Sequence, residues 1–582
     1  MSEEGDLEKI ILKHALINAI KHGGKAQVGA VIPKVLGEYP ELRARAKEIA
    51  EKAAKIVESV NLMPKEKQEE TLKKEFPEVR LEQERKEEQK KLPSLPEVES
   101  FKIVVTRFAP NPDFVIHLGN ARPAILSHEY ARIYKGKFIL RFEDTDPRIK
   151  TPLAEAYSQI REDLNWLGIR WDEEYIQSLR VPIYYKVARE LIMKGGAFVD
   201  DTSKENYEEM LSRGEVHPNR EKAPEYNLEL FEKMLSGHYG EGEAVLRVKT
   251  DLSYSDKSLV DWVAFRIIDT DRYPHPIVGS RYIVWPTYNF ASAVDDYLMG
   301  VTHIIRGKEH LQNTIKQKHL YEHLGWRQPV AIHLGRLRLE EFIMSKSQIK
   351  KILKESGGAY SGPEDPRFGT IRGLRERGIT AEAIREVILT VGAKQSDASI
   401  SFANLAAENR KIIDPISPRL MFVENPVELI IENGDGSCIE TKIPYHPEKS
   451  EIGIRELKIC SGDRILISKA DYDNALSLKG GELRLMELGN YRIDGLKAIL
   501  VSKDLSYARE KGLSIVQWVL KENSRHAVLF MPEGETLITK SGTIEDTEKL
   551  KEYVGKNVQL VRVGFAILKS LSPLVTLIFS HE

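Results

Sequence analysis

Between residues 101 and 142 the chain sets out a strand, a turn, a helix and a second strand, and that order leaves few folds open. Phe101-Lys-Ile-Val-Val-Thr106 and Lys137–Phe142 are β-rich apolar runs, and Ala124–Tyr134 between them has helical spacing. A strand–helix–strand crossover joins parallel strands, and such a sheet receives ligands at its strand C-termini. The turn after the first strand reads Arg107-Phe-Ala-Pro-Asn-Pro-Asp-Phe-Val-Ile-His117-Leu-Gly119-Asn120. A glycine there lets a ligand approach the backbone, and the helix start beyond it offers free N–H groups and a positive dipole end.

With 582 residues the chain exceeds one core and divides into roughly three to five domains. The expected architecture is multidomain: an α/β Rossmann-like parallel sheet split by an insertion, preceded by helices and followed by all-β barrels. Residues 1–95 read as an N-terminal helical domain. Within it Leu7–His22 and Pro40–Val60 are amphipathic, Lys65–Lys91 is a solvated helix or arm, and 92–96 is a linker. Residues 96–195 form the first half of the sheet domain, 196–275 the insertion with a strand at Ala244–Lys249, and 276–330 the second half, resuming at Tyr282–Tyr288. Residues 331–411 are a loop-and-helix region with a helix at Thr380–Thr390. In 412–582 short alternating runs recur, among them Val427–Ile431, Arg464–Ile467, Glu482–Glu487, Ala527–Phe530, Gln559–Val563 and Leu574–Phe579, the pattern of barrels or a sandwich.

Composition excludes more than it selects. An apolar share of 41%, a charged share of 30% and a net charge of −2 suit a globular chain and neither demand nor forbid a polyanionic partner. Cys438 and Cys460 are the only cysteines; they offer no disulfide framework or zinc spacing and read as packing thiols of a reducing cytosol. No run is long enough to span a bilayer, and the acidic start lacks an export core, so a cytoplasmic protein without membrane contact is expected.

A second loop, Ile343-Met-Ser345-Lys346-Ser347, follows the second half of the sheet domain. A lysine between hydroxyls and a histidine at a helix start are suited to steadying the phosphate charge that builds when a carboxylate attacks an α-phosphorus and pyrophosphate leaves. That chemistry uses preorganised cations and donors rather than an acid or base.

These two loops resemble the signature loops of class I aminoacyl-tRNA synthetases. With Leu140-Arg-Phe-Glu143-Asp-Thr-Asp146-Pro and Trp285-Pro-Thr-Tyr288-Asn-Phe-Ala-Ser292 through Arg306-Gly-Lys-Glu309-His310, the likeness narrows to the glutamyl and glutaminyl family and covers about 101 to 582. It implies ATP as substrate with Mg2+ on the nucleotide and no zinc or other protein-bound metal, and L-glutamate and tRNA as the other partners. It places His117, Gly119, Asn120, Glu309, His310, Ser345 and Lys346 around ATP, with His117 and Lys346 as the catalytic pair. Arg107, Asn111, Glu143, Tyr288, Ser292 and Arg306 would surround the amino acid, Glu143 taking its ammonium. Glutaminyl enzymes resemble this segment but lack the arginine at 306, which argues for glutamate over glutamine. A catalytically silent tRNA-binding paralogue would have no need of His117, Lys346 and Glu143 together.

Asn409-Arg-Lys-Ile-Ile-Asp414-Pro-Ile-Ser-Pro418-Arg419, with Gln517-Trp518 and Leu560–Phe565, resembles the paired barrels of the archaeal type. By that likeness 196–275 would hold the acceptor end of tRNA, 331–411 its stem and the barrels its anticodon. Arg419 could touch the anticodon or simply brace a domain junction, and His22-Gly-Gly-Lys25 could touch RNA or simply end a helix. Charging of tRNA(Gln) alongside tRNA(Glu) rests on an anticodon contact the likeness does not locate, and no segment specifies an amidotransferase partner. Two positions depart from the family: Phe114 stands where a glycine is usual, and Ile343 where a basic residue is usual.

Overall fold

The computed structural model describes residues 3–21, 24–38, 46–76, 92–434, 436–478 and 480–582, in two compact units divided after Leu92. The first unit is helical: α1 (Glu3–Lys21), α2 (Val28–Glu38), α3 (Ala46–Asn61) and α4 (Lys65–Glu75). Leu7, Ile11, Leu16, Val31, Ile49 and Val57 recur at helical spacing and bury together. The charged α4 is docked rather than merely solvated: Leu72 is buried, and the buried Gln68 amide donates to the carbonyls of Gly24, Val60 and Met63. His22 and Gly23, the start of the second expected helix and most of the expected arm lie outside the described residues.

In the second unit the strands run, in chain order, β1 (Val105–Phe108), β2 (Lys137–Phe142), β3 (Glu173–Ile176), β4 (Ala197–Asp200), β5 (Val245–Val248), β6 (Val263–Ile267), β7 (Val284–Pro286), β8 (His303–Gly307) and β9 (Val330–Leu334). Five build a wholly parallel sheet in the order β3-β2-β1-β8-β9. The order reverses between β1 and β8, and the insertion separates β3 and its following helix from β8 along the chain. Helix α5 (Leu118–Ile133) makes the first crossover. The first strand starts later than its apolar run suggests, because Val105 is the residue that pairs with Lys137. Residues of the expected linker are tied down: the Leu95 N–H donates to Tyr134 Oη, and Pro93 O accepts from Tyr130 Oη.

The insertion forms a separate antiparallel sheet, β4-β5-β6-β7. Val284–Pro286 therefore closes the insertion instead of resuming the parallel sheet, since its pairing partner is β6. The chain then enters helix α6 (Tyr288–Leu298), returns to the large sheet at β8 and continues into α7 (Leu311–Leu324) and α8 (Lys346–Glu355).

Beyond residue 416 two mixed seven-stranded sheets each wrap their own core. Strands between 426 and 520 build one, apart from a separate hairpin at 438–460, and the short strands of 419–424 join those of 524–581 in the other. The expected strand at 559–563 is shorter, Asn557–Leu560, because Arg562 takes a positive φ in the turn that follows. Trp518 is buried and donates to Met486 O.

The reading of the cysteines as packing thiols is overturned. Cys438 and Cys460 are joined in a disulfide, directly opposite each other at the open end of the hairpin Cys438–Pro444/Ile454–Cys460, with a Cα–Cα distance of 3.9 Å. The antiparallel register brings together two residues 22 apart, and Cys438 is exposed rather than packed. Among the described residues no helix is long and apolar enough to cross a membrane.

Candidate active site

The C-terminal ends of three neighbouring strands each carry one buried arginine: Arg141 on β2, Arg107 on β1 and Arg306 on β8. Three guanidiniums cannot be stripped of water without compensation. Asp296, wholly buried on α6, supplies it for two of them. Arg107 donates from Nε and Nη2 to its two carboxylate oxygens at 3.2 and 3.3 Å, and Arg141 Nη1 donates to Oδ1 at 2.8 Å. Burial works against the charges, but Arg107 and Arg141 pull the Asp296 carboxyl below its ordinary range. Arg141 then turns its other arm to Glu143 Oε1 at 2.9 Å and Ser292 Oγ at 3.1 Å.

Arg306 is different. It is 5% exposed, yet its hydrogen bonds go to neutral oxygens: Tyr288 Oη at 3.2 Å, Thr314 Oγ1 at 2.7 Å and Gln317 Oε1 at 3.0 Å, with Nε unpartnered. Burial, and then the charge of Arg306, hold His310 down to about 3 and lower His333, so both neighbouring rings are neutral. Among the described residues, then, this guanidinium is buried without a carboxylate bonded to it. Asn111 Oδ1 is also buried without a hydrogen-bond partner.

The two loops meet at one place beside this cluster. His117 is the N-cap of α5: its Nδ1 accepts from Gly119 N at 3.0 Å while Asn120 Oδ1 accepts from His117 N. A Cβ on Gly119 would lie 2.8 Å from His117 Cε1, so only glycine lets the ring fold back over the helix start. Burial, reinforced by the Lys346 ammonium, pushes the His117 imidazole down to about 4. Lys346, the first residue of α8, donates to Asp113 Oδ1 at 3.0 Å; burial lowers its pKa while Asp113 opposes the shift. Ser345 caps the same helix, its Oγ 3.0 Å from Ser347 Oγ. Glu309 and His310 lie on the 3-10 turn that leaves β8, where His310 packs against the Tyr288 ring at 5.3 Å.

Most residues singled out in the sequence therefore lie on these two loops, the ends of β1, β2 and β8, and the helix starts that follow them. Arg419 does not: its guanidinium is spent on the Asp414 carboxylate at 2.5 Å and on the carbonyls of Asp414 and Ser417, the bracing geometry of a junction. Asp146 is a turn cap, accepting from the N–H groups of Arg148 and Ile149. Sequence reasoning missed Arg141, Asp296 and Asp113 as members of the site. An arginine inside the apolar run of β2 and two adjacent acids in the otherwise apolar α6 were the available signals. Among the described residues no group of three or more His, Cys, Asp or Glu side chains is placed to hold a metal ion.

Comparison with known proteins agrees along the whole chain. The family model for the catalytic domain of class I tRNA synthetases (E and Q) matches residues 103–415, and that for the anticodon-binding domain of the same group matches 417–506. The chain is 51% identical over 580 residues to the glutamate–tRNA ligase of Aeropyrum pernix, covering 99% of both chains. It is 49% identical to that of Ignicoccus hospitalis and 47% identical to that of Pyrococcus furiosus, covering 99% of this chain and all of each relative. The chain belongs to the class I tRNA synthetases of the glutamate and glutamine group.

Proposed function

We propose that the protein is a glutamate–tRNA ligase: it activates L-glutamate with ATP to glutamyl-adenylate and passes the acyl group to the terminal ribose of tRNA(Glu). The observation that carries the choice of amino acid is Arg306, a buried guanidinium whose hydrogen bonds go to neutral oxygens. A substrate γ-carboxylate completes it; an amide would leave the charge uncompensated, at a cost of about 2–4 kcal/mol, roughly 30- to 1000-fold. Glu143, held by Arg141, receives the substrate ammonium, with Arg107, Asn111, Tyr288 and Ser292 closing the pocket.

ATP lies over the start of α5. His117, unprotonated at Nδ1, offers its Nε2–H to a phosphate oxygen, and Lys346 meets the charge that grows on the leaving pyrophosphate. Gly119, Asn120, Glu309, His310 and Ser345 shape the rest of the nucleotide site. ATP would carry Mg2+, which would offset part of the triphosphate charge when bound. The insertion grips the acceptor end of tRNA, the helices between 331 and 411 its stem, and the two β-sheet bodies its anticodon, in the cytoplasm.

Pyrophosphate exchange in the presence of tRNA, with glutamate against glutamine, tests the reading. Glutamate should be preferred at least about 30-fold, and Arg306→Ala should raise its KM by that factor or more. Equal use of glutamine, or an unchanged KM in the variant, would overturn the assignment.

A further inference from the structure

The two departures from the family, Phe114 and Ile343, meet in space. Phe114 buries with Val115 against Ile349 of α8 and Phe368, and Ile343 packs on the edge of that cluster. Backbone bonds stitch the loops together: Gly369 N donates to Ile343 O, and Leu118 N donates to Gly369 O, both at 3.0 Å. The Asp113 carboxylate, next in sequence to Phe114, binds two lysines of α8. Its Oδ1 accepts from Lys346 at 3.0 Å and its Oδ2 from Lys350 at 3.4 Å, while the Lys350 ammonium lies 5.7 Å from the centre of the Phe114 ring.

We propose that Asp113 is a positioning residue for Lys346: it holds the lysine loop docked on the first loop before nucleotide arrives and yields the ammonium to the incoming phosphates. A loop whose only cation is Lys346 gains from this arrangement. Ordering a free lysine during the reaction costs side-chain and backbone entropy, whereas a docked one starts within reach of the leaving group. The exchange is favourable because a triphosphate carries more negative charge than one carboxylate. Asp113 should therefore assist the chemical step and mildly oppose ground-state binding of ATP. The inference rests on the function proposed above for its kinetic test.

Two readouts on the full chain examine it. In glutamate- and tRNA-dependent pyrophosphate exchange, Asp113→Asn should lower kcat about 10- to 100-fold without raising the KM for ATP. Phe114→Gly should move kcat in the same direction. Independently of turnover, an amine-reactive acylating reagent read by mass spectrometry should label Lys346 several-fold faster in Asp113→Asn than in the native chain. Lys569, half-buried and paired with Glu376 far along the chain, serves as the internal reference, and loss of fold would raise its labelling too. A kcat within about twofold of the native value, a raised KM for ATP, or unchanged Lys346 labelling in Asp113→Asn overturns the proposal. A native chain inactive with glutamate would overturn the proposed function instead, and labelling alone would then decide the role of Asp113.

Discussion

Asp296 and His117 show how much a single side chain carries here. Asp296 is the one carboxylate shared by Arg107 and Arg141, and Arg141 in turn fixes Glu143 and Ser292. Replacing it with asparagine leaves two buried cations underpaired. Asp296→Asn should cost about 3–5 kcal/mol of stability, read as a large drop in melting temperature. Because its folded carboxyl lies below the unfolded value, its contribution is present above the unfolded pKa and disappears as pH falls through the folded one. A variant as acid-sensitive as the native chain and equally stable would contradict this account. His117 makes a separate prediction. Its folded value of about 4 lies below 6.5, so the unfolded state binds more protons in that window and stability rises with pH across it. Imidazole nitrogen NMR should show a neutral ring protonated at Nε2 from about pH 7 down to about 5, and a titration near 6.5 would refute it. The residue types of this pocket were legible in the sequence, but their pairing was not. Arg107, read as a substrate ligand, proves to be bound to Asp296, so its access to substrate depends on a network that no motif spelled out.

At the scale of elements, caps and pairing register explain both the successes and the misses. The turn into α5 was readable because His117, Gly119 and Asn120 form a reciprocal cap within four residues of sequence, but the helix begins at Leu118 rather than at the expected Ala124, with Pro123 inside it. Thr380 likewise caps Ala381–Val391 where a helix was expected. Strand membership was not local in this way. Val284–Pro286 has the composition of a strand of either sheet, and only its partner, β6, assigns it. The hairpin Cys438–Pro444/Ile454–Cys460 gives the sharpest case, because the register of seven residue pairs converts two distant cysteines into a cross-link. Closing a loop of this length is worth about 3 kcal/mol through the unfolded state. Cys438→Ser should lower the melting temperature of the C-terminal β region without affecting pyrophosphate exchange, and the intact mass should rise by about 2 Da on reduction. A mass unchanged by reductant would contradict the cross-link.

For the whole molecule the division at Leu92 matters most. The helices before it bury their own core, so each unit has the means to fold alone. A chain beginning at Pro93 should keep its melting transition and its capacity for glutamate-dependent exchange, while calorimetry loses the transition of the helical unit. Collapse of the remainder would show the two cores to be one. The sequence by itself determined the family chemistry, the order of parts and the parallel sheet, because helical spacing, strand runs, caps and the His117 and Lys346 loops are encoded within a few residues of one another. Only the tertiary structure decided which charges cancel. Asp296 neutralises Arg107 and Arg141, Asp113 takes Lys346, the cysteines join, and Arg306 is left buried with neutral partners. Electrostatic compensation depends on distances of about 3 to 4 Å between residues that lie tens to hundreds of positions apart, and a linear chain does not display those distances.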